Sequence, residues 1–131
     1  MNKKNTMTQR TPEKSKLERD LEGKPKITLK ELKETAVNTL TQEIYNTLMQ
    51  VYECGGWKWY GGDLPTQDNY WTYYKGKTCI RVKNEFSYED EKYYRKTIGY
   101  KIISTKRFYK IQNITPDMLG EINKWFKEHS R

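Results

Sequence analysis

The sequence is short of what a large apolar core is built from. Ala36 is the only alanine, hydrophobic residues make up 34% of the chain, and mean hydropathy is −1.10. With 131 residues, that composition fits one domain with a modest core and leaves too little chain for two ordinary ones. No apolar run approaches the roughly eighteen residues that cross a bilayer, so a membrane-spanning helix is excluded. The opening MNKKNTMTQRTPEKSK carries positive charge but lacks the apolar stretch of a secretory signal. The expectation is a soluble protein of a bacterial cytoplasm with no membrane partner.

Chemistry-bearing residues are scarce as well. His129 is the sole histidine and lies at the chain's end, where a solvated, frayed ring is expected. Nucleophilic catalysis would need that imidazole held rigidly beside a serine or cysteine. Cys54 and Cys79 show no C-x-x-C spacing and read as buried free thiols. With one histidine they fall short of the usual four-ligand zinc set. Neither the phosphate-cradling nor the dinucleotide glycine motif occurs. Asp63, Asp68 and the Asp90-x-Lys92 pair loosely imitate a metal-dependent nuclease, in which carboxylates hold Mg²⁺ and lysine meets developing charge. Yet Asp63 and Asp68 fall in a turn-like loop where aspartate serves the backbone, and Asp90 and Lys92 suit helix-end charges. The sequence therefore predicts a non-enzyme with no cofactor and no bound metal.

What the chain does have is positive charge and aromatic rings. Its net charge is +8, with nineteen lysines against six arginines. Residues 1–26 hold eight basic and four acidic side chains, and residues 70–112 hold eleven against four. Such an excess favours an anionic partner, although lysine is a poorer bidentate reader of bases and phosphates than arginine. The bias toward Lys, Asn, Ile and Tyr is what an AT-rich bacterial or phage genome encodes.

Periodicity gives the expected organisation: a flexible basic tail over 1–26 and a single α+β domain over 27–131. Leu29, Leu32, Ala36, Leu40, Ile44, Leu48 and Val51 recur at steps of three and four. Thr28 and Glu31 fit a capping box, so a long amino-terminal helix is expected over 28–52, with Gly55 or Gly56 as its left-handed stop. Val37, Ile44 and Val51 repeat every seven residues, and a homodimer through that helix is one possible assembly. Trp57-Lys58-Trp59-Tyr60 reads as a short strand. TCIRV puts Thr78, Ile80 and Val82 on one side of another, with Arg81 and Lys83 opposite. Charge order over 88–97, acids first and bases last before Gly99, predicts a short inserted helix followed by a strand at 100–104. Residues 105–111 fit helix or strand. Thr115, Pro116 and Asp117 open a carboxy-terminal helix. The expected sheet is small, antiparallel and rich in aromatics.

The stretch GGWKWYGGDLPTQDNYW, residues 55–71, raises the choice between a ligand pocket and a tightly turned core. Residues 57–112 contain fourteen aromatic side chains but only seven of Leu, Ile and Val. Each ring can remove roughly 150–250 Å² from water, so Trp57, Trp59 and Trp71 read as core. The series GWKWYGGDLPT, KTCIRV, FSY and IGYKIIS resembles small uncharacterised proteins of phages and mobile elements of low-GC bacteria, over about residues 54–109. That resemblance implies an accessory or host-interaction role and carries no catalytic residues.

Two binding readings follow. In the first, Arg81, Lys83, Lys101, Lys106, Arg107 and Lys110 gather into one positive surface. Tyr73, Tyr93 and Tyr109 then stack on bases of a nucleic acid or nucleotide. Neither the RNA-binding sheet signature nor a helix-turn-helix is present. In the second, the protein inhibits a host protein complex, such as a defence complex, as anti-CRISPR and similar anti-defence factors do.

Overall fold

The computed structural model describes residues 23–129. It is an α+β arrangement. A four-stranded sheet is built from β1 (Thr35–Thr39), β2 (Thr78–Arg81), β3 (Tyr88–Asp90) and β4 (Lys101–Ser104), in the order β3-β2-β1-β4. The helices are α1 (Gln42–Cys54), α2 (Trp71–Tyr74), α3 (Thr105–Ile111) and α4 (Pro116–Glu128), with a π-helical turn at Tyr93–Thr97. The sheet is mixed, not antiparallel throughout: β1 pairs antiparallel with β2 but parallel with β4, which returns to it by a long crossover.

The long helix expected over 28–52 does not form. Residues 28–34 are extended or turned, β1 takes 35–39, and α1 begins only after Thr41, whose hydroxyl accepts from the Ile44 amide at 3.1 Å. Thr28 and Glu31 make no capping box; the Glu31 carboxylate accepts from the Asn84 amide instead. Leu40, placed by periodicity on the buried stripe, is 64% exposed. The cause is β1's central place in the sheet. Ala36 and Val37 face opposite sides and both are fully buried, so this strand lacks the alternation that announces a strand in sequence. Val37 lies on a strand and Ile44 and Val51 on α1, so their seven-residue spacing makes no single helical seam. Gly56, at φ +79°, supplies the left-handed residue beyond α1.

One face of the sheet carries Val37, Ile80, Val82 and Ile103. They pack with Tyr45, Leu48, Met49, Val51 and Tyr52 of α1, Phe108 of α3 and Ile122 of α4. Tyr52 is at the centre of this core, with Trp57, Phe86 and Phe108 centroids at 4.9, 4.7 and 5.8 Å, and its hydroxyl donates to the Arg81 carbonyl at 3.0 Å. Trp57 and Trp59 are buried here, as the count of rings against aliphatics predicts. The expected strand at 57–60 shrinks to one parallel bridge between Trp59 and Phe86. The opposite face carries Ala36, Cys79 and Ile102, covered by Tyr94 and Tyr100. The predicted helix at 88–97 is half right, since its first residues form edge strand β3 and the π-helical turn follows. α4 matches its prediction, with the Thr115 hydroxyl accepting from the Met118 amide at 3.2 Å and Pro116 in the first turn.

Of the expected basic tail, residues 1–22 lie outside those described. Lys24 is described, and its ammonium is 2.9 Å from the Glu53 carboxylate. No helix among the described residues is long and apolar enough to cross a membrane.

Candidate binding surfaces

The topology separates the six cations proposed for an anion site into two groups. Arg81 ends β2, Lys83 follows it, and Lys101 opens β4 opposite Thr35, so all three sit at the end of the sheet where β1 begins. Glu31 and Glu34 adjoin them: the Glu34 carbonyl accepts from the Lys101 amide at 2.9 Å, and Glu31 binds the turn after Lys83. The Glu34 backbone and the Glu31 carboxylate thus lie along the same sheet end as the first group. Arg81 stacks its guanidinium over Tyr100, 5.3 Å from the ring centroid.

Lys106, Arg107 and Lys110 form the second group, on α3. Ser104 caps that helix through a 3.1 Å bond from the Arg107 amide. Its far end is fixed by the buried Gln112 side chain, which bonds the backbone of Lys30 as both donor and acceptor at 2.8 Å. Lys106 and Lys110 are four residues apart and so lie on one helix face. Together they edge a groove between α3 and α4 of about 480 Å³, floored by Tyr109, Ile114, Pro116 and Leu119. No carboxylate lines this groove. Among the described residues, the ion pairs formed are Lys24–Glu53 and Arg95–Glu91, and neither uses any of the six proposed cations.

Of the three candidate tyrosines, Tyr73 lies away from both groups and Tyr109 joins the second as groove floor. Tyr73, on α2, is 67% exposed but stacks with Tyr70 and Tyr88 near edge strand β3, on the far side of the sheet from β4. Tyr93 is 39% exposed and meets Tyr94 edge-on. Tyr109 turns its hydroxyl into the interior, where it has no hydrogen-bond partner and desolvation pushes its ionisation far up. Its ring is floor to the groove, not a free stacking surface.

Aromatic rings and carboxylates meet elsewhere, in an arrangement that sequence reasoning missed. Tyr70 and Tyr88 stack at 4.4 Å, and Trp59 stands edge-on to both. Burial raises the Tyr70 phenol, with Asp68 and Asp63 adding to the rise. The Glu89 carboxylate, then burial and Asp90, raise Tyr74. Asp68 is raised by desolvation and by the adjacent Asp63 carboxyl. The W-x-x-x-D spacing of Trp59 and Asp63 was the available signal: the Trp59 amide donates to the Asp63 carbonyl at 3.0 Å, closing a tight turn.

The nuclease-like set is only partly assembled. Asp63 and Asp68 come together, whereas the Asp90 carboxylate caps the Lys92 amide at 2.7 Å. Among the described residues, no three His, Cys, Asp or Glu side chains form a metal-holding group. His129, expected to be frayed, instead stacks on the Trp125 indole at 4.2 Å, with Nδ1 2.8 Å from the Trp125 carbonyl. Cys54 and Cys79 are buried free thiols, each pushed up to about 11 mainly by burial. Comparison with protein-family models, with curated proteins and with solved structures gives no match.

Proposed function

We propose that the protein is a non-catalytic binding module that engages an anionic partner through α3 and the groove beside it. The observation that carries this reading is the pair Lys106 and Lys110. Both are exposed, neither has an ion-pair partner among the described residues, and they edge a groove without a carboxylate. Clustered ammonium groups without local counter-charges are stabilised when an anion replaces their diffuse counterions. Arg107 adds a third positive charge to the same short helix.

A nucleic-acid strand supplies such an anion, and Arg81, Lys83 and Lys101 then serve as outlying phosphate contacts. Binding of this kind weakens steeply with salt, because each phosphate contact releases counterions. The test is a gel-shift or anisotropy titration of purified protein against single- and double-stranded DNA and RNA over a salt series. A shift at low salt that fades as salt rises supports the nucleic-acid reading. No shift at low salt removes it.

The groove's apolar floor favours a second reading, an acidic segment of a protein partner. Ile114, Pro116 and Leu119 offer a ligand apolar contact that a phosphate backbone does not use. In that case salt screens the charge pairs but leaves the apolar part of the binding in place. An accessory role, including inhibition of a host or defence complex, belongs to this reading as an expectation of the sequence alone. Co-purification from the native host, with identification of the bound component, separates the two.

A further inference from the structure

A second cavity, of about 290 Å³, lies beside edge strand β3 and has the opposite chemistry. Trp59, Tyr60, Gly61, Asp63, Tyr70 and Tyr88 line it, with Phe86 and Ser87 behind. Its one ionisable side chain other than the phenols is the Asp63 carboxylate, and no lysine or arginine takes part. At this size, just below the usual range for whole small-molecule sites, it suits a single head group.

We propose that this cavity is a binding site for an organic cation, the alkylammonium or guanidinium head of a basic ligand, held between the exposed Tyr60 ring and the Asp63 carboxylate, with the stacked Tyr70–Tyr88 pair as a wall. The negative face of Tyr60 attracts a cation within about 6 Å of its centroid, and the lining carboxylate supplies full charge. The walls are pre-positioned. The Tyr60 amide donates to the Phe86 carbonyl at 2.9 Å, the Phe86 amide to the Lys58 carbonyl at 3.0 Å, and the Trp59 amide to the Asp63 carbonyl at 3.0 Å. Tyr70 and Tyr88 brace one another, and Trp59 braces both. Tyr60 is the ring left over: it is 79% exposed and makes no ring contact among the described residues. A large phenol placed in water at the rim of a cavity bearing one carboxylate is free to close over a cation. Asp68, which interacts with Asp63, adds a second carboxyl beside the cavity.

The test is an NMR titration with tetramethylammonium chloride against sodium chloride at matched ionic strength, following the Trp59 indole N–H and the Tyr60 and Tyr70 amides. The expected result is saturable shifts of these signals with tetramethylammonium alone. Tyr60→Ala and Asp63→Asn each weaken the shifts by roughly fivefold or more while the remaining amide spectrum stays folded. Two further arms identify the source. Tighter binding of an end-blocked lysine peptide than of free arginine methyl ester assigns a basic side chain of a partner; the reverse assigns a free organic cation. Absence of saturable shifts with all three probes overturns the proposal, as does equal binding by wild type and both variants. None of the probes engages α3, so the outcome is independent of the anion-binding reading.

Discussion

Lys24→Met is the sharpest test of the packing described above. The Lys24 ammonium is 2.9 Å from Glu53 Oε2, and the two side chains are only 8% and 1% exposed. The same ammonium lies 5.5 Å from the Trp125 ring centroid and 5.8 Å from that of Phe126. Glu53 Oε1 accepts from both the amide and the hydroxyl of Thr66, at 3.2 and 2.7 Å. One ion pair thus ties residue 24, the end of α1, the loop at 65–67 and α4 together. Methionine keeps the length and the contact with the rings but removes a positive charge 2.9 Å from a buried carboxylate. Breaking a buried pair in this way costs about 3–5 kcal/mol, against about 0–1 for an exposed pair. For a domain of this size the midpoint of thermal unfolding should fall by roughly 10–25 °C. Urea denaturation of wild type, Lys24→Met, Glu53→Gln and the double variant measures it. The double variant should be less destabilised than the two single costs added together, because a neutral amide at 53 needs no cation. A loss below about 1 kcal/mol for Lys24→Met, with strict additivity, would refute the buried pair and with it the docking of residue 24.

Three further outcomes follow from the core. Cys54 and Cys79, each pushed up to about 11, and the Tyr45 and Tyr94 phenols, pushed up to about 12, hold their protons more tightly folded than unfolded. Their contribution to stability is therefore constant below about pH 8, where both states are protonated. It is lost progressively between about pH 8 and 12, the cysteines first, and urea midpoints measured across that window should fall. In the same way, native protein at pH 8 should react with a thiol reagent only as fast as it unfolds, and rapid stoichiometric labelling would contradict the burial of both thiols. Gly55→Ala should destabilise by about 1–3 kcal/mol, since a Cβ there meets Leu29 Cδ1 and stands 2.6 Å from Leu29 Cγ. In a Leu29→Ala background, which removes the atoms the new Cβ meets, the same Gly55→Ala change should cost less in the same denaturation assay.

The sequence makes some of this fold readable and hides the rest for physical reasons. α4 is legible because its cap, its first-turn proline and its acid occur together over Thr115–Asp117. β2 is legible in part: Ile80 and Val82 lie on the core face, but Cys79 is buried on the other face as well. β1 is not legible. Its burial on both sides erases alternation, and its parallel partner β4 lies far along the chain, where no local pattern points to it. Leu29 and Leu32 reach the core from extended chain, so their spacing mimics a helical stripe without a helix. The cations were identifiable one by one, but their division between the sheet end and α3 depends on how β4 and α3 turn back on β1. The Tyr60–Asp63 cavity escaped notice because ring counts assign Trp59 to the core, which is right, and say nothing of the exposed tyrosine beside it.

The most direct test of anion binding through α3 is the triple charge-neutral variant Lys106→Gln/Arg107→Gln/Lys110→Gln, measured against the captured partner. If that partner is single-stranded nucleic acid, the magnitude of the slope of log K against log salt should fall by about 0.7 per lost phosphate contact, or roughly 2 for all three. If it is an acidic protein, affinity should fall most at low salt, where the charge pairs are least screened, with Tm unchanged. Undiminished affinity and an unchanged slope in a folded triple variant would contradict the assignment of α3 as the anion-binding element.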